Sequence, residues 1–373
     1  MKFGEVDPSW ESGNGVKPMS QGMRQLMAGW GGLAVVSHFD PATDAWIFIA
    51  LHDATLGVPM GGTRLMEYPT PEDGLLDAMR LAEGMTHKWA AVEFDSGGGK
   101  AVLALSRPLQ GSERLDLLRR YGQLLSSLNG CFRTGQDLGT TPEDMLAISR
   151  EAPYVHGCDP EQNVADDPGP YTAHGVLVGI RAALHHLDGS PELRGRSVLV
   201  QGTGDVGGPL AGELAEAGAT LLLSDLDEER VRKLADDLGA SAVEPSRAHA
   251  TECDIYAPCA VGGTLNRSSI AELRCRIVAG SANTQLGESE DAERLHERGI
   301  LYAPDYVINA GGAIAFGMKY RGERSEPVIR ARIEGIGPSL REIFAEAQQQ
   351  EVSPIRAAQS RVEQVLSRAR KSK

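Results

Sequence analysis

Between Ser197 and Asp225 the chain reads strand, glycine-rich turn, helix, strand, and no other stretch restricts the fold as tightly. An apolar run, Ser197-Val198-Leu199-Val200-Gln201, leads into Gly202-Thr203-Gly204-Asp205-Val206-Gly207. A helical pattern then continues to Ala217, and a second apolar run spans Thr220 to Asp225. Two strands joined through a helix in about thirty residues are a βαβ unit, and such a crossover leaves its strands parallel. Further strand-length runs at 255–257, 277–280 and 300–303 alternate with helical patterns. The expected class is α/β, with a Rossmann-type doubly wound parallel sheet in the second half of the chain.

The turn has its own chemistry. Gly202, Gly204 and Gly207 permit a tight bend, close approach of backbone to a pyrophosphate, and close helix packing. Around Thr203, Asp205 and Val206, the start of the helix offers free N–H groups and a partial positive charge to an anion. Asp225 closes the next strand, where a carboxylate accepts hydrogen bonds from adenosine ribose hydroxyls. It would repel a 2′-phosphate; no arginine follows it immediately, and Asp227 and Glu228 add negative charge. The expected cofactor is NAD rather than NADP.

The first half carries a different signal. Leu33 to His38, an Asp40-Pro41 turn and Trp46 to Leu51 read as a hairpin. Residues 70–89 and 112–128 read as helices, 101–105 as a short buried strand, and 131–134 as a strand leading into Gly135-Gln136-Asp137-Leu138-Gly139-Thr140. Gly84-Met85-Thr86-His87-Lys88 and Ser96-Gly97-Gly98-Gly99-Lys100 set two lysines twelve positions apart, the second at the end of a glycine triplet. This is not a phosphate loop, which needs a hydroxyl after its lysine where Ala101 stands. An amine near apolar walls and a second cation loses its proton more easily, which suits acid–base work near neutrality. The alternative is a surface turn that ends in lysine. Residues 172–186 and 326–369 read as helix, the latter broken at Pro354.

At 373 residues the chain exceeds one typical core, so two domains are expected. The formal charge of −14 argues against nucleic acid or an anionic membrane as partner. Five cysteines without a CxxC pair read as reduced, mostly buried thiols, with no structural zinc. No leader is expected at the N-terminus, and the longest apolar stretch, Ala45 to Leu51, is far short of a membrane span; the expected location is cytoplasmic. The histidines are scattered, and no His-x-x-x-His or carboxylate cluster suggests a metal. No Gly-x-Ser-x-Gly elbow suggests a hydrolase.

Several blocks together resemble one family, the amino-acid dehydrogenases acting on leucine, valine and phenylalanine, relatives of glutamate dehydrogenase. They are Leu51 to Gly57, Met60-Gly61-Gly62-Thr63-Arg64, Leu81 to Lys88, Gly97 to Lys100, Asp137 to Thr140, Thr172-Ala173, Gln201 to Val206 and Ala257-Pro258-Cys259-Ala260. Two late blocks complete the set: Ala279 to Leu286, and Tyr302 to Gly312. The resemblance runs from about Gly32 to about Gly312. It implies a substrate and oligomerisation domain over 1–155 and an NAD domain over 156–340; residues 1–31 lie outside the match, and their polar, weakly patterned composition reads as a loosely ordered arm. Helices over 341–373 would return to the first domain, leaving a cleft between the two, and the assembly would be a homo-oligomer.

The implied reaction is reversible NAD-dependent oxidative deamination of an apolar L-α-amino acid to its 2-oxo acid and ammonia. By the resemblance, Lys88 binds the α-carboxylate, Lys100 is the catalytic lysine that activates water, and Asp137 exchanges protons with the substrate nitrogen. Gly61, Gly62, Asn283 and Asn309 line the substrate cleft. Thr172 meets the nicotinamide carboxamide, and Cys259, Ala260 and Asn283 complete the cofactor site. Arg64 could reach either ligand. Each residue also has a plain structural reading: Lys88 facing a helix dipole, Asp137 or Thr172 as a cap, the asparagines in turns.

Four positions shape the substrate expectation. Gly135 is smaller than the alanine of branched-chain enzymes and resembles the phenylalanine enzymes. Ala313 removes bulk where valine is common, whereas Phe316 adds a ring, and Ala315 replaces a usual asparagine. Gly135 and Ala313 are expected to open the side-chain pocket and Phe316 to offer an aromatic face, favouring phenylalanine over valine. The alternatives are a non-catalytic NAD-binding relative and another NAD dehydrogenase, such as one acting on 2-hydroxy acids.

Overall fold

The computed structural model describes residues 19–372. The expected arm at 1–31 holds a helix, α1 (Met19–Trp30), in its described portion; residues 1–18 lie outside the described residues. Trp30 explains the docking of α1: its ring sits in an apolar cluster with Leu26 and Met27, and its indole donates to the Met79 carbonyl at 2.9 Å.

Five strands form the first sheet: β1 (Ala34–Asp40), β2 (Ala45–Asp53), β3 (Pro59–Glu67), β4 (Gly97–Leu105) and β5 (Arg133–Gln136), in the order β1-β2-β4-β3-β5. The β1–β2 and β2–β4 pairs are antiparallel, while β3 lies parallel to both β4 and β5. Alternation decides the two faces. Ile47, Ile49, Leu103 and Leu105 point to a core with α3 (Gly111–Ser127) and α4 (Pro142–Ser149), whereas Phe48, Ala50, Val102 and Ala104 point to α2 (Pro71–Ala91). Helix α2 begins at a capping box between Thr70 and Asp73 with Pro71 in its first turn, and its last turn carries Lys88.

A short ribbon of β6 (Cys158–Asp159) and β7 (Val164–Ala165) leads to α5 (Gly169–Asp188) and the second sheet. That sheet comprises β8 (Ser197–Gln201), then α6 (Gly207–Glu216), β9 (Thr220–Ser224), α7 (Glu228–Leu238), β10 (Ser241–Ala242), β11 (Ile255–Pro258), α8 (Arg267–Glu272), β12 (Ile277–Val278), α9 (Asp291–Glu297) and β13 (Leu301–Tyr302). All pairs are parallel in the order β10-β9-β8-β11-β12-β13, the doubly wound arrangement expected from the sequence. Gly202 leaves β8 at φ +93, and a Cβ there would strike the backbone of Ala260 after β11. The bend therefore requires glycine.

The chain closes with α10 (Asp305–Ile308), α11 (Gly311–Tyr320), α12 (Glu326–Glu334), α13 (Ile336–Gln350) and α14 (Pro354–Lys371). Helix α14 returns to the first domain, packing along α2 and sending Arg370 to Asp53 at 2.9 Å, and Arg332 of α12 donates to the Val92 carbonyl at 2.7 Å. Helix α13 stays on α5, because Ile336, Leu340 and Ile343 fill the Rossmann-side core. Trp89 and Phe94, at the end of α2, join that same core beside Phe316. The floor of the cleft is thus continuous between the two sheets.

Candidate active site

Strand register builds the polar centre. Thr63 of β3 lies opposite Ala101 of β4 and Gln136 of β5, so Lys100 and Asp137 flank the segment Gly62–Arg64 from either side. A Cβ on Gly62 would overlap the Asp137 side chain and press on the Lys100 ammonium, so the glycine makes room for the pair. Lys100 Nζ lies 3.0 Å from Asp137 Oδ1, with the side chains only 6% and 15% exposed. Arg64 Nε donates to the other oxygen, Oδ2, at 3.0 Å. Arg64, whose role the sequence left open, thus belongs to this centre.

The electrostatics follow from burial and these neighbours. Burial alone would raise the Asp137 carboxyl, but Lys100 and Arg64 outweigh it and hold the group below the usual carboxylate range. Burial lowers Lys100; Asp137 opposes the shift, and repulsion from Arg64 adds to it. Burial also brings Lys88 down to about 8, against the attraction of Asp305. No ion pair to Lys88 occurs among the described residues, so its ammonium faces the cleft uncommitted. Two lysines thus share one pocket with different duties: one is tied to a carboxylate, the other is open to an anion.

The opposite wall comes from the second domain. Asn309 donates to Asn283 Oδ1 at 2.8 Å and to the Ser281 carbonyl at 3.0 Å, while its own Oδ1 is buried without a partner. Thr172 donates to the Pro168 carbonyl at 3.0 Å and packs directly against Gly312, where a Cβ would strike its hydroxyl. Gly61, Gly62, Lys88, Lys100, Asp137, Thr172, Asn283, Asn309, Ala313 and Phe316 all border one cleft of 840 Å³. Asp205 and Val206 reach its edge, so the glycine-rich turn opens onto the same space.

The donor set fits a dinucleotide. Gly202 to Gly207 form the bend before α6, with Cys259 and Ala260 packed against it. Asp225 is fixed by its neighbours: Oδ2 accepts from Thr203 N at 2.7 Å and Thr203 Oγ1 at 3.1 Å, and Oδ1 accepts from Asp227 N at 3.1 Å. An arginine does stand nearby, although none follows Asp225 directly in the sequence. Helix α7 brings Arg230 to 3.7 Å from Asp225 and 3.0 Å from Asp227, where its charge is consumed by two carboxylates.

The structure corrects the reading of the side-chain pocket. Gly135 does not line the cleft, because the His156 ring occupies the space its missing Cβ leaves. His156 borders the cleft in its place and meets Phe316 edge-on, with ring centroids 5.8 Å apart at 66°. Burial lowers its pKa to about 4, against the pull of the Gly61 backbone, so the ring is neutral, and neither nitrogen makes a well-formed hydrogen bond. Histidines therefore matter here more than their scatter suggested; His87 also borders the cleft. No motif surrounds His156, so the only signal was its position between Asp137 and the second domain. Ala315, by contrast, is fully buried in the Rossmann-side core and does not border the cleft. The five cysteines are free, but Cys253 alone is buried and Cys131 is exposed.

A Rossmann sheet facing an α/β domain across a cleft with paired lysines and an aspartate defines a two-domain dehydrogenase. Residues 43–154 match the Glu/Leu/Phe/Val dehydrogenase dimerisation domain, and residues 222–370 match the Glutamate/Leucine/Phenylalanine/Valine dehydrogenase model. The chain belongs to this family of NAD-dependent amino-acid dehydrogenases. It is 39% identical over 325 residues to the leucine dehydrogenase of Bacillus subtilis (strain 168), covering 87% of this chain and 88% of that one. It is 37% identical over 332 residues to the phenylalanine dehydrogenase of Lysinibacillus sphaericus, covering 88% and 86%. The crystal structure of L-tryptophan dehydrogenase from Nostoc punctiforme superposes with a TM-score of 0.80 at 38% identity, covering 93% of this chain and 99% of the other.

Proposed function

We propose that the chain carries out reversible NAD-dependent oxidative deamination of a bulky apolar L-α-amino acid, with an aromatic side chain preferred over valine. The observation that carries this reading is the convergence of Lys88, Lys100 and Asp137 on one cleft. Lys88, uncommitted to any protein carboxylate, takes the substrate α-carboxylate in a charge-assisted contact. Asp137, kept anionic by two cations, accepts a proton from the substrate nitrogen. Lys100, whose proton is loosened by burial, serves as the base for the water that attacks the oxidised carbon. Asn309 offers its unpaired Oδ1 to the bound ligands. The turn from Gly202 to Gly207, Asp225 and Thr172 would hold NAD, which supplies the acceptor for the hydrogen on Cα.

The aromatic preference rests on the wall formed by Phe316 and His156 beside the small Ala313. The same reading divides the chain near residues 155 and 340. It makes the protein a cytoplasmic homo-oligomer; among the described residues, no helix is long and apolar enough to cross a membrane. Edge strand β1, with Phe39 exposed near its end, is available for self-association, which light scattering on the purified protein measures. An NADH-formation screen across the proteinogenic L-amino acids at alkaline pH tests the reaction. Phenylalanine or another aromatic should lead, with 2-hydroxy acids inert. Activity on no amino acid would refute the reading, and valine as the best substrate would refute its account of the pocket.

A further inference from the structure

Behind the Lys100–Asp137 pair stands a second layer of charge that the reaction as described does not use. Arg64, 12% exposed, gives Nε to Asp137 Oδ2 at 3.0 Å and NH1 to Asp77 Oδ2 at 2.9 Å. Asp77, on α2, is held in turn by the Tyr68 hydroxyl at 2.7 Å and by Arg80 NH2 at 2.6 Å. Arg80 then reaches Thr284 of the second domain at 3.0 Å. Thr284 sits at φ +51, a backbone region that a β-branched residue rarely adopts. The polar chain therefore runs unbroken from the reacting centre to the opposite wall of the cleft.

We propose that Arg64 is the positioning residue of this site: gripped between Asp77 and Asp137, it fixes which Asp137 oxygen faces Lys100 and adds a third cation to the lysines' pocket. The proposal rests on the deamination reading above. Geometry gives each oxygen of Asp137 one partner, Oδ1 to Lys100 and Oδ2 to Arg64, so the carboxylate cannot rotate without breaking a charged contact. The planar guanidinium can serve two carboxylates at once, which a lysine ammonium cannot do in the same fixed plane. Arg64 does not border the cleft; it acts on the substrate through its neighbours.

The charged groups facing Lys100 are Asp137 after β5, Arg64 on β3, and Asp77 and Lys88 on α2, with neutral His156 beyond α4. Those facing Asp137 are Lys100, Arg64 and Lys88. Their signs set opposite outcomes for two substitutions. Arg64 repels the Lys100 proton, so Arg64→Gln makes the lysine hold it more tightly. Asp77 attracts that proton, so Asp77→Asn loosens it.

The test is the pH profile of kcat/KM for amino-acid oxidation by the full-length protein, recorded for the wild type, Arg64→Gln, Arg64→Lys and Asp77→Asn. The limb that reports the neutral lysine should move to higher pH in Arg64→Gln and to lower pH in Asp77→Asn. It should stay near the wild-type position in Arg64→Lys, which keeps the charge. Loss of aim should lower kcat in Arg64→Gln on the order of 10²-fold, while KM for NAD holds within about twofold. If Arg64→Gln does not fold, the Asp77→Asn and Arg64→Lys profiles decide alone. Variants that only scale the wild-type profile, or that move the limb in one shared direction, would overturn the assignment. An active wild type with such variants sinks Arg64 only, whereas a wild type inert on every amino acid sinks the reaction as well.

Discussion

Adding one methyl group at Gly135 should reach the substrate without touching it. A Cβ on Gly135 would overlap Cε1 and Nδ1 of His156 and crowd Nε2, so the ring must leave its seat. The imidazole makes no well-formed hydrogen bond to hold it, and both it and Phe316, its edge-on partner at 5.8 Å, border the cleft. The displaced ring therefore moves into the space a bulky substrate side chain needs. Overpacking of this kind costs about 1–3 kcal/mol. Carried into the transition state for a large substrate, that is roughly a 5- to 150-fold loss in kcat/KM. Leucine, which fills less of the pocket, should lose less. Truncating the ring removes the clash, so Gly135→Ala in a His156→Ala background should be almost neutral. The assay is kcat/KM for phenylalanine, tryptophan and leucine in all four proteins of the double-mutant cycle, with thermal melting as a check on folding. Additive effects of the two substitutions would show that the glycine and the ring are not coupled, and the corrected pocket would be wrong.

Other consequences are more direct. Lys100→Ala should cut turnover by the 10²–10⁴ usual for a lost acid–base group while NAD binding stays near wild type; retention of more than about a tenth of the rate would contradict that role. Asp225→Ser should relax the cofactor preference towards NADP by removing the repulsive carboxylate and freeing Arg230, and equal use of both cofactors by the wild type would contradict the assignment. Lys88 must be charged to hold the substrate carboxylate, and burial places its pKa at about 8. The charged form dominates below that value, so KM for the amino acid should rise as pH climbs through it, and a flat KM across that point would refute the contact. Phe316→Val should lower kcat/KM for aromatic substrates more than for leucine; improved phenylalanine turnover would mean that the ring obstructs the pocket.

What the sequence made legible was local. Strand β8, the turn after it and β9 could be read because hydrophobic period, glycine placement and a terminal acid all sit within thirty residues. The segment Pro59–Glu67 was not read as a strand because Gly61 and Gly62 interrupt its apolar pattern, yet Gly62 is what lets Lys100 and Asp137 meet across it. Helix α1 was hidden for a similar reason, its apolar stripe being thin until Trp30 docks on α2. Lys88 and Lys100 stood out by their spacing and the glycine triplet and took their roles, with Asp137, from family resemblance, but the division into one free and one paired lysine is a product of β3–β4–β5 register. No residue pattern announces that His156 would fill the gap at Gly135, since the two are twenty-one positions apart and meet through packing of the loop after α4. The space expected at Gly135 is therefore filled by His156, while Ala313 and Phe316 do border the cleft. A glycine counted as empty space is space only if nothing else in the chain claims it, and in a close-packed interior something nearly always does.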